Sequence, residues 1–547
     1  MRQRTADPAR PLLIGLALLT LVGAIAATAY FVRQDNDADD LPAGPRDSYI
    51  EGVVGTWQRV NPLFASTSGV DEDLVSLLFS GLLRLTPDGS VAPDLAELPE
   101  ISDGGRTYTF TLRQGLTWHD GKPVSARDVA FTIERIVEPN FRGDPALVEA
   151  WTGVEVEPVD ERTVVLRLRQ ANAPFLARSA TIGILPEHLL SGLTAVQLFD
   201  SPFNRAPVGS GPYRLESLDT REAQLVANER YHLGAPKLTT LRFRFFPDSP
   251  SALRALQARE IQGAFFREAL TRDERAAAGE VAGLTVTDIP RAAHLVLYLN
   301  NQTLNLFADT NVRRAISLAL NRDRLLDRTL AGTALLSSSP VSPASWAYSQ
   351  EYDRPTPDVP EARRLLERAG WRPGPSGVLT KEGTELRFTI RTDNDPARVE
   401  IATEIAAQLE PLGIRANVAA TTFAVLQKDF LQERRYDAAV AGFDQGADPD
   451  PYFGWHSSQL GTAGLNIANF SDLVVDELIA KARTSNDSEV RKDLYRQYQE
   501  KWAELTPSIV LGYPSYVYAR SSAIRGVPFG LIANPAQRFF DIQRWQN

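Results

Sequence analysis

Residues 436–455 read YDAAVAGFDQGADPDPYFGW, placing four carboxylates, Asp437, Asp444, Asp448 and Asp450, among the aromatic side chains of Tyr436, Phe443, Tyr452, Phe453 and Trp455. Negative charge beside broad apolar faces suits a cationic amine carried on an otherwise apolar ligand, such as a peptide N-terminus. Asp448 and Asp450 also form a carboxylate pair of the type that hydrolyses glycosides. The bland alternative is a surface loop whose Asp-Pro-Asp-Pro is merely solvated while its aromatics point into the core. His119-Asp120 is a pair found in metal phosphohydrolases, but it falls in a hairpin turn that explains it without chemistry. The histidines, His119, His188, His232, His294 and His456, are nowhere paired at three to five residues, so no dedicated histidine metal site is visible. No G-x-S-x-G, H-E-x-x-H or phosphate loop occurs.

The elements that must position such residues are best marked in residues 107–137, TYTFTLRQGLTWHDGKPVSARDVAFTIERIV. Tyr108, Phe110 and Leu112 share one face of an alternating strand. Asp120-Gly121 supplies a tight turn. Ser125 stands as an N-cap with Asp128 three residues on, and Val129, Ile133, Ile136 and Val137 give the following helix its apolar stripe until Pro139 ends it. Further along, strands are expected near 49–56, 163–168 and 386–391, and helices near 74–83, 252–258, 311–330, 361–369 and 398–412. Strand and helix alternate between about 290 and 500, which predicts an α/β lobe.

Residues 107–137 resemble the signature of the family 5 extracellular solute-binding proteins, the peptide, dipeptide and nickel receptors of ABC importers. Further blocks follow the family order: NPLFASTSGVDEDLVSLLFSGLLRLTPDGSVAPDLAE at 61–97, APVGSGPYRLES at 206–217, LVANERYHLGAPKL at 225–238, LYLNNQ at 297–302, VRRAISLALNRDRL at 312–325, EARRLLERAGW at 361–371 and TPSIVLGYPSYVYARSSAIRGV at 506–527. The resemblance implies an α/β, two-lobed periplasmic-binding-protein-like clamp of the type II, large cluster C form. Residues 48–295 and 506–547 would form the first lobe, with a peripheral subdomain at about 95–200, and 300–505 the second. It implies that a peptide or similar solute closes the hinge between the lobes and passes to an ABC permease, and that the protein is a monomer, carries no cofactor and catalyses nothing. Two alternatives stay open, a nickel or metal-chelate receptor of the same fold and a secreted hydrolase using the aspartate pair. The ligand-binding candidates are Asp448, Asp444, Phe443 and Trp455 in the acidic segment, Trp57 and Asn61 after the first strand, Asn300 at a crossing between lobes, and Trp346 and Tyr348 in a proline-flanked loop. The chain departs from oligopeptide-binding members in one respect. Where they hold the ligand amine with an acidic residue three positions after the aromatic, this sequence has Gly446.

A chain of 547 residues is too long for one ordinary core and predicts two or three domains. A net charge of -10 argues against nucleic acid as a partner, and the absence of cysteine removes disulfides, thiolate metal sites and a lipidated tether. Residues 11–32 are uncharged and apolar and follow Arg2, Arg4 and Arg10, which predicts a transmembrane anchor with residues 1–10 cytoplasmic and the body extracytoplasmic. Ala24-Ile25-Ala26 and Ala27-Thr28-Ala29 offer the alternative of a cleaved signal peptide and a secreted body. Residues 33–47, rich in aspartate, read as a solvated linker.

Overall fold

The computed structural model describes residues 47–302 and 305–547. The expected anchor or signal peptide at 11–32, the N-terminal residues 1–10 and the linker up to residue 46 lie outside the described residues. Within the described residues no helix is long and apolar enough to cross a membrane.

The first lobe opens with β1 (Ser48–Val54) and α1 (Gly69–Leu78). The strand β2 (Thr107–Thr111), the helices α2 (Ala126–Val137) and α3 (Pro145–Trp151) and the strand β3 (Thr163–Arg167) then build an outlying unit in which β2 and β3 pair antiparallel. Tyr108 and Phe110 are buried, as the alternation of β2 requires. The Asp128 carboxylate accepts from the Ser125 amide at 2.8 Å and from the Glu187 amide at 2.9 Å, so the capping group of α2 also ties down a later segment. The chain returns through β4 (Tyr213–Leu218), β5 (Glu222–Ala227), β6 (Thr240–Phe246), β7 (Gly263–Phe266) and β8 (Leu284–Pro290).

The second lobe contains β9 (Ala293–Leu299), α4 (Thr310–Ala319), α5 (Val359–Arg368), β10 (Arg387–Asp393), α6 (Pro396–Leu409), β11 (Arg415–Thr421), β12 (Ala438–Asp444), α7 (Leu473–Thr484) and α8 (Ser488–Leu505). A last long strand, β13 (Ile509–Ser521), leads back to the first. One sheet runs through both lobes in the order β11-β10-β12-β9-β13-β7-β1-β6-β5-β4, with β8 also on β13. The cores are separate. Leu74, Phe110, Trp118 and Phe243 belong to one, whereas Ile316, Leu365, Phe388 and Ile405 belong to another. Strand β9 is buried on both faces, giving Leu295, Leu297 and Leu299 to the latter core and Val296 and Tyr298 to a third that holds Trp455 and Trp502.

Strand β13 serves both lobes. Its start pairs with β9, Leu297 opposite Ile509 and Leu295 opposite Gly512, and its remainder pairs with β8, from Pro290 opposite Ser515 to Leu284 opposite Ser521. The chain between β8 and β9 is thus residues 291–292, and β13 changes partner from β9 to β8 between 512 and 515, whereas the expected lobe boundaries fall at 295–300 and 505–506. At Gly512 the register shifts and φ is +154°, and an added methyl would sit 2.7 Å from Leu326 Cδ1. Glycine is required there by both conformation and space.

Candidate functional site

Charged groups from both lobes converge beside the passages, around Tyr516 of β13. The Arg291 guanidinium lies 4.0 Å from the centre of its ring and donates to the Arg267 carbonyl at 2.9 Å. Burial raises the Tyr516 hydroxyl pKa, Arg291 and Arg267 oppose the shift, and Asp444 and Glu72 add to it. One hydroxyl thus senses Glu72 of α1 in the first lobe and Asp444 at the end of β12 in the second. The Glu72 carboxylate lies 3.6 Å from Arg267, and burial, only partly offset by that arginine, pushes its pKa up to about 7.

Asp444 is solvent-exposed, accepts the Gly446 amide at 2.8 Å, and faces Arg178 of the first lobe. Desolvation by its surroundings raises its pKa even so, with the Gly446 hydrogen bond and Arg178 acting against it. Asp444 is thus open to solvent while its surroundings withhold part of its hydration. Phe443, half-buried beside it, packs with ring centres 5.6 Å from His294 and 6.3 Å from Trp455. Three further contacts join the two lobes: the Trp346 amide donates to the Asp88 carbonyl at 3.2 Å, the Ala173 amide to the Arg483 carbonyl at 2.8 Å, and Arg178 stands 3.8 Å from Asp450.

Several sequence candidates are placed differently. Asp448, expected as a free carboxylate, is buried and accepts two hydrogen bonds from Arg491, at 2.7 and 2.9 Å. Burial works against the Arg491 charge, but Asp448 and Tyr495 outweigh it and raise the guanidinium pKa. Asp450 is likewise buried, 2.9 Å from Arg483, so the aspartate pair suggested for hydrolysis is neutralised by two arginines and closed to solvent. Trp455 is a core residue, stacked on Tyr298 with ring centres 5.9 Å apart and set edge-on to Trp502 at 4.5 Å. Asn300 is buried and donates to the carbonyls of Arg434 and Tyr436, each at 3.0 Å. Asn61 donates to Asn204 at 2.9 Å and accepts the Leu63 amide, and Trp57 donates to the Asp219 carbonyl at 2.7 Å, so both bond within the first lobe. Tyr348 donates to Asp353 at 2.8 Å. Trp346 is half-buried, edge-on to Tyr495 and 5.2 Å from the Arg491 guanidinium. The structure therefore gathers Phe443, Asp444, Asp448, Trp455 and Trp346 on one side of the second lobe, with only Asp444 and part of Phe443 and Trp346 open to solvent.

Sequence reasoning missed Glu72, Arg178, Arg267, Arg291 and Tyr516. The spacing of Tyr516 and Tyr518 on one face of a strand is a usable signal for the tyrosine; nothing local marks Arg178. His119 is held in its hairpin, accepting the Gly209 amide at Nδ1 and lying 3.1 Å from the Gly211 carbonyl at Nε2, and burial lowers its pKa to about 4. Among the described residues no group of three or more metal-ligating side chains is assembled.

Comparison with known proteins agrees with this architecture. The family described as bacterial extracellular solute-binding proteins, family 5, matches residues 90–464. An oligopeptide-binding protein of Bacillus subtilis, AppA, is 30% identical over 505 residues, covering 91% of each chain. The structure of AppA in complex with a nonapeptide superposes with a TM-score of 0.65 at 26% identity, covering 92% of this chain and 99% of that one. NikZ from Campylobacter jejuni, solved in complex with Ni(L-His), gives a TM-score of 0.68 at 26% identity, covering 92% and 100%.

Proposed function

Since the chain belongs to the bacterial extracellular solute-binding proteins, family 5, we propose that it captures a peptide between its lobes by hinge closure and delivers it to the permease of an ABC importer. Proteins of this family are binding proteins and not enzymes. Asp444 takes the cationic amine of the ligand, Phe443 and Trp346 supply apolar wall, and the large cluster C form of the clamp closes around them, with residues 11–32 tethering the body outside the cytoplasm. The observation that carries the reading is the state of the four aspartates. Asp448 and Asp450 are consumed by arginines, Asp437 accepts the Thr389 amide at 2.8 Å, and Asp444 alone is exposed. A desolvated yet accessible carboxylate gains most from a bound ammonium, because the ligand restores the charge partner that water supplies poorly there.

Native mass spectrometry of the purified chain, followed by calorimetry with trialanine, tests this. A peptide adduct and trialanine binding that weakens about tenfold in Asp444→Asn are expected, the size of one charge-assisted hydrogen bond. A nickel-histidine adduct with no response to peptides would replace the peptide by a metal chelate. Undiminished trialanine binding by Asp444→Asn would remove Asp444 from the site.

A further inference from the structure

The first lobe contains an open-mouthed cavity of about 380 Å³, lined by α1, α3, residues 178–183 and the C-terminal segment 534–543; of the residues gathered around Tyr516 and Asp444, Glu72 and Arg178 reach it, and the apolar remainder has no part in the interlobe reading. No residue between 232 and 533 lines it, so it exists without any contribution from the second lobe. Its body is apolar, formed by Val75, Phe79, Leu83, Leu147, Ile182 and Phe540. Its charged lining is acidic on balance, with the carboxylates Glu72, Asp94, Asp144 and Asp541 against the guanidiniums Arg84 and Arg178.

Most of that charge is already engaged. Arg84 pairs with Asp541 at 2.5 Å and lies over the Phe540 ring. Asp94 meets His232 at 2.7 Å, and Asp144 caps α3 by accepting the Ala146 amide. Arg178 faces Asp450 across the lobes. Glu72 stands 3.6 Å from an Arg267 whose shorter contact, 2.9 Å, is to Asp73, and its other polar partner is the neutral side chain of Asn534.

We propose that this cavity is a binding site in its own right, for an apolar group of arene or branched-alkyl size that ends in an ammonium, the ammonium being met by Glu72. The acidic excess and the engaged state of Arg84 exclude an anionic tip. The volume falls within the range of small-ligand pockets. Glu72 is flanked by Asp71 and Asp73 on its own helix, by Arg267, by Tyr516 from β13, by Asn534 and by the Arg538 that is spent on Asp73 and Glu51, with Asp144 and Arg178 across the cavity. Burial holds its pKa near 7, so a bound ammonium draws it into the charged form, and binding strengthens as pH rises through that value.

The test titrates the full chain at pH 8 with 2-phenylethylamine and with 3-phenylpropanoate, which share a ring and differ in the charge of the tip. The amine is expected to bind and the acid not. Glu72→Gln, nearly isosteric, should weaken the amine about tenfold, and Leu147→Trp, which fills the cavity from α3, should abolish its binding. Leu147→Trp carries the distinction from the interlobe reading, since Leu147 is none of the residues gathered around Tyr516 and Asp444, and trialanine reports on that cleft separately. The proposal is overturned if the amine does not bind, if the acid binds equally well, or if both variants retain wild-type affinity for the amine.

Discussion

At the scale of single residues, two aspartates four positions apart meet opposite fates. Asp448 neutralises Arg491 inside the second lobe. Removing its charge leaves a guanidinium buried without a partner, and Asp448→Asn is expected to cost about 3 kcal/mol or more of unfolding free energy in urea. Asp444→Asn changes an exposed side chain and should stay within roughly 0.5 kcal/mol of wild type. Equal destabilisation by the two would contradict the assignment of a structural role to one and a ligand-facing role to the other. The difference was not legible in the sequence, because the partner of Asp448 lies 43 positions away on a different element. The acidic, aromatic makeup of the segment was legible; which carboxylate remained free was not. Glu72 gives a second residue-level expectation. Its pKa rises from 4.5 to about 7 on folding, so between those values the folded protein holds a proton that the unfolded chain has lost. The stability it contributes is fully present below about 4.5 and is lost as pH rises through about 7. Subtracting the pH profile of Glu72→Gln from that of wild type should isolate a decline over this window. A flat difference, or one that rises with pH, would refute the raised pKa.

At the scale of elements, local and non-local information separate cleanly. The strand β2, its turn and the helix α2 were readable because alternation, Asp120-Gly121 and the Ser125–Asp128 cap all act within a few residues of one another. The lobe to which β9 belongs was not readable, since a strand buried on both faces shows the same apolar run in either sheet. Nor did the sequence distinguish the glycine at 512 from its neighbours. The structure makes it the pivot at which β13 exchanges β9 for β8, with a positive φ and no room for a side chain. Gly512→Ala should therefore lose about 1–3 kcal/mol, from the left-handed backbone and from the methyl driven against Leu326. The urea midpoint reads this directly. Gly104, also at positive φ but with open space around its Cβ position, provides the control: its alanine variant should lose about 1 kcal/mol, from backbone strain alone. Similar losses at both positions would mean that packing at the pivot contributes nothing.

At the scale of the whole molecule, the lobes share a continuous sheet through β13 and meet again through backbone hydrogen bonds, Trp346 to Asp88 and Ala173 to Arg483, and an ionic contact. The ionic part of that second seam is Asp450, held at 2.9 Å by Arg483 from its own lobe and at 3.8 Å by Arg178 from the first. Arg178→Gln removes the cross-lobe charge and leaves Asp450 paired, so each lobe should keep its fold while, under the hinge closure proposed above, the closed arrangement loses a contact that the open one lacks. At 3.8 Å, between an Arg178 side chain that is 33% exposed and a buried Asp450 that keeps Arg483 as its nearer partner, the pair contributes about 1 kcal/mol, and ligand affinity should fall by about fivefold. Raising the salt concentration should weaken binding by wild type more than by Arg178→Gln, since screening removes what the substitution has already removed. X-ray scattering of the ligand-free variant should give a larger radius of gyration than wild type, with the urea midpoint unchanged. A variant that unfolds more readily but scatters like wild type would place Arg178 in the stability of the first lobe and not in the joining of the two.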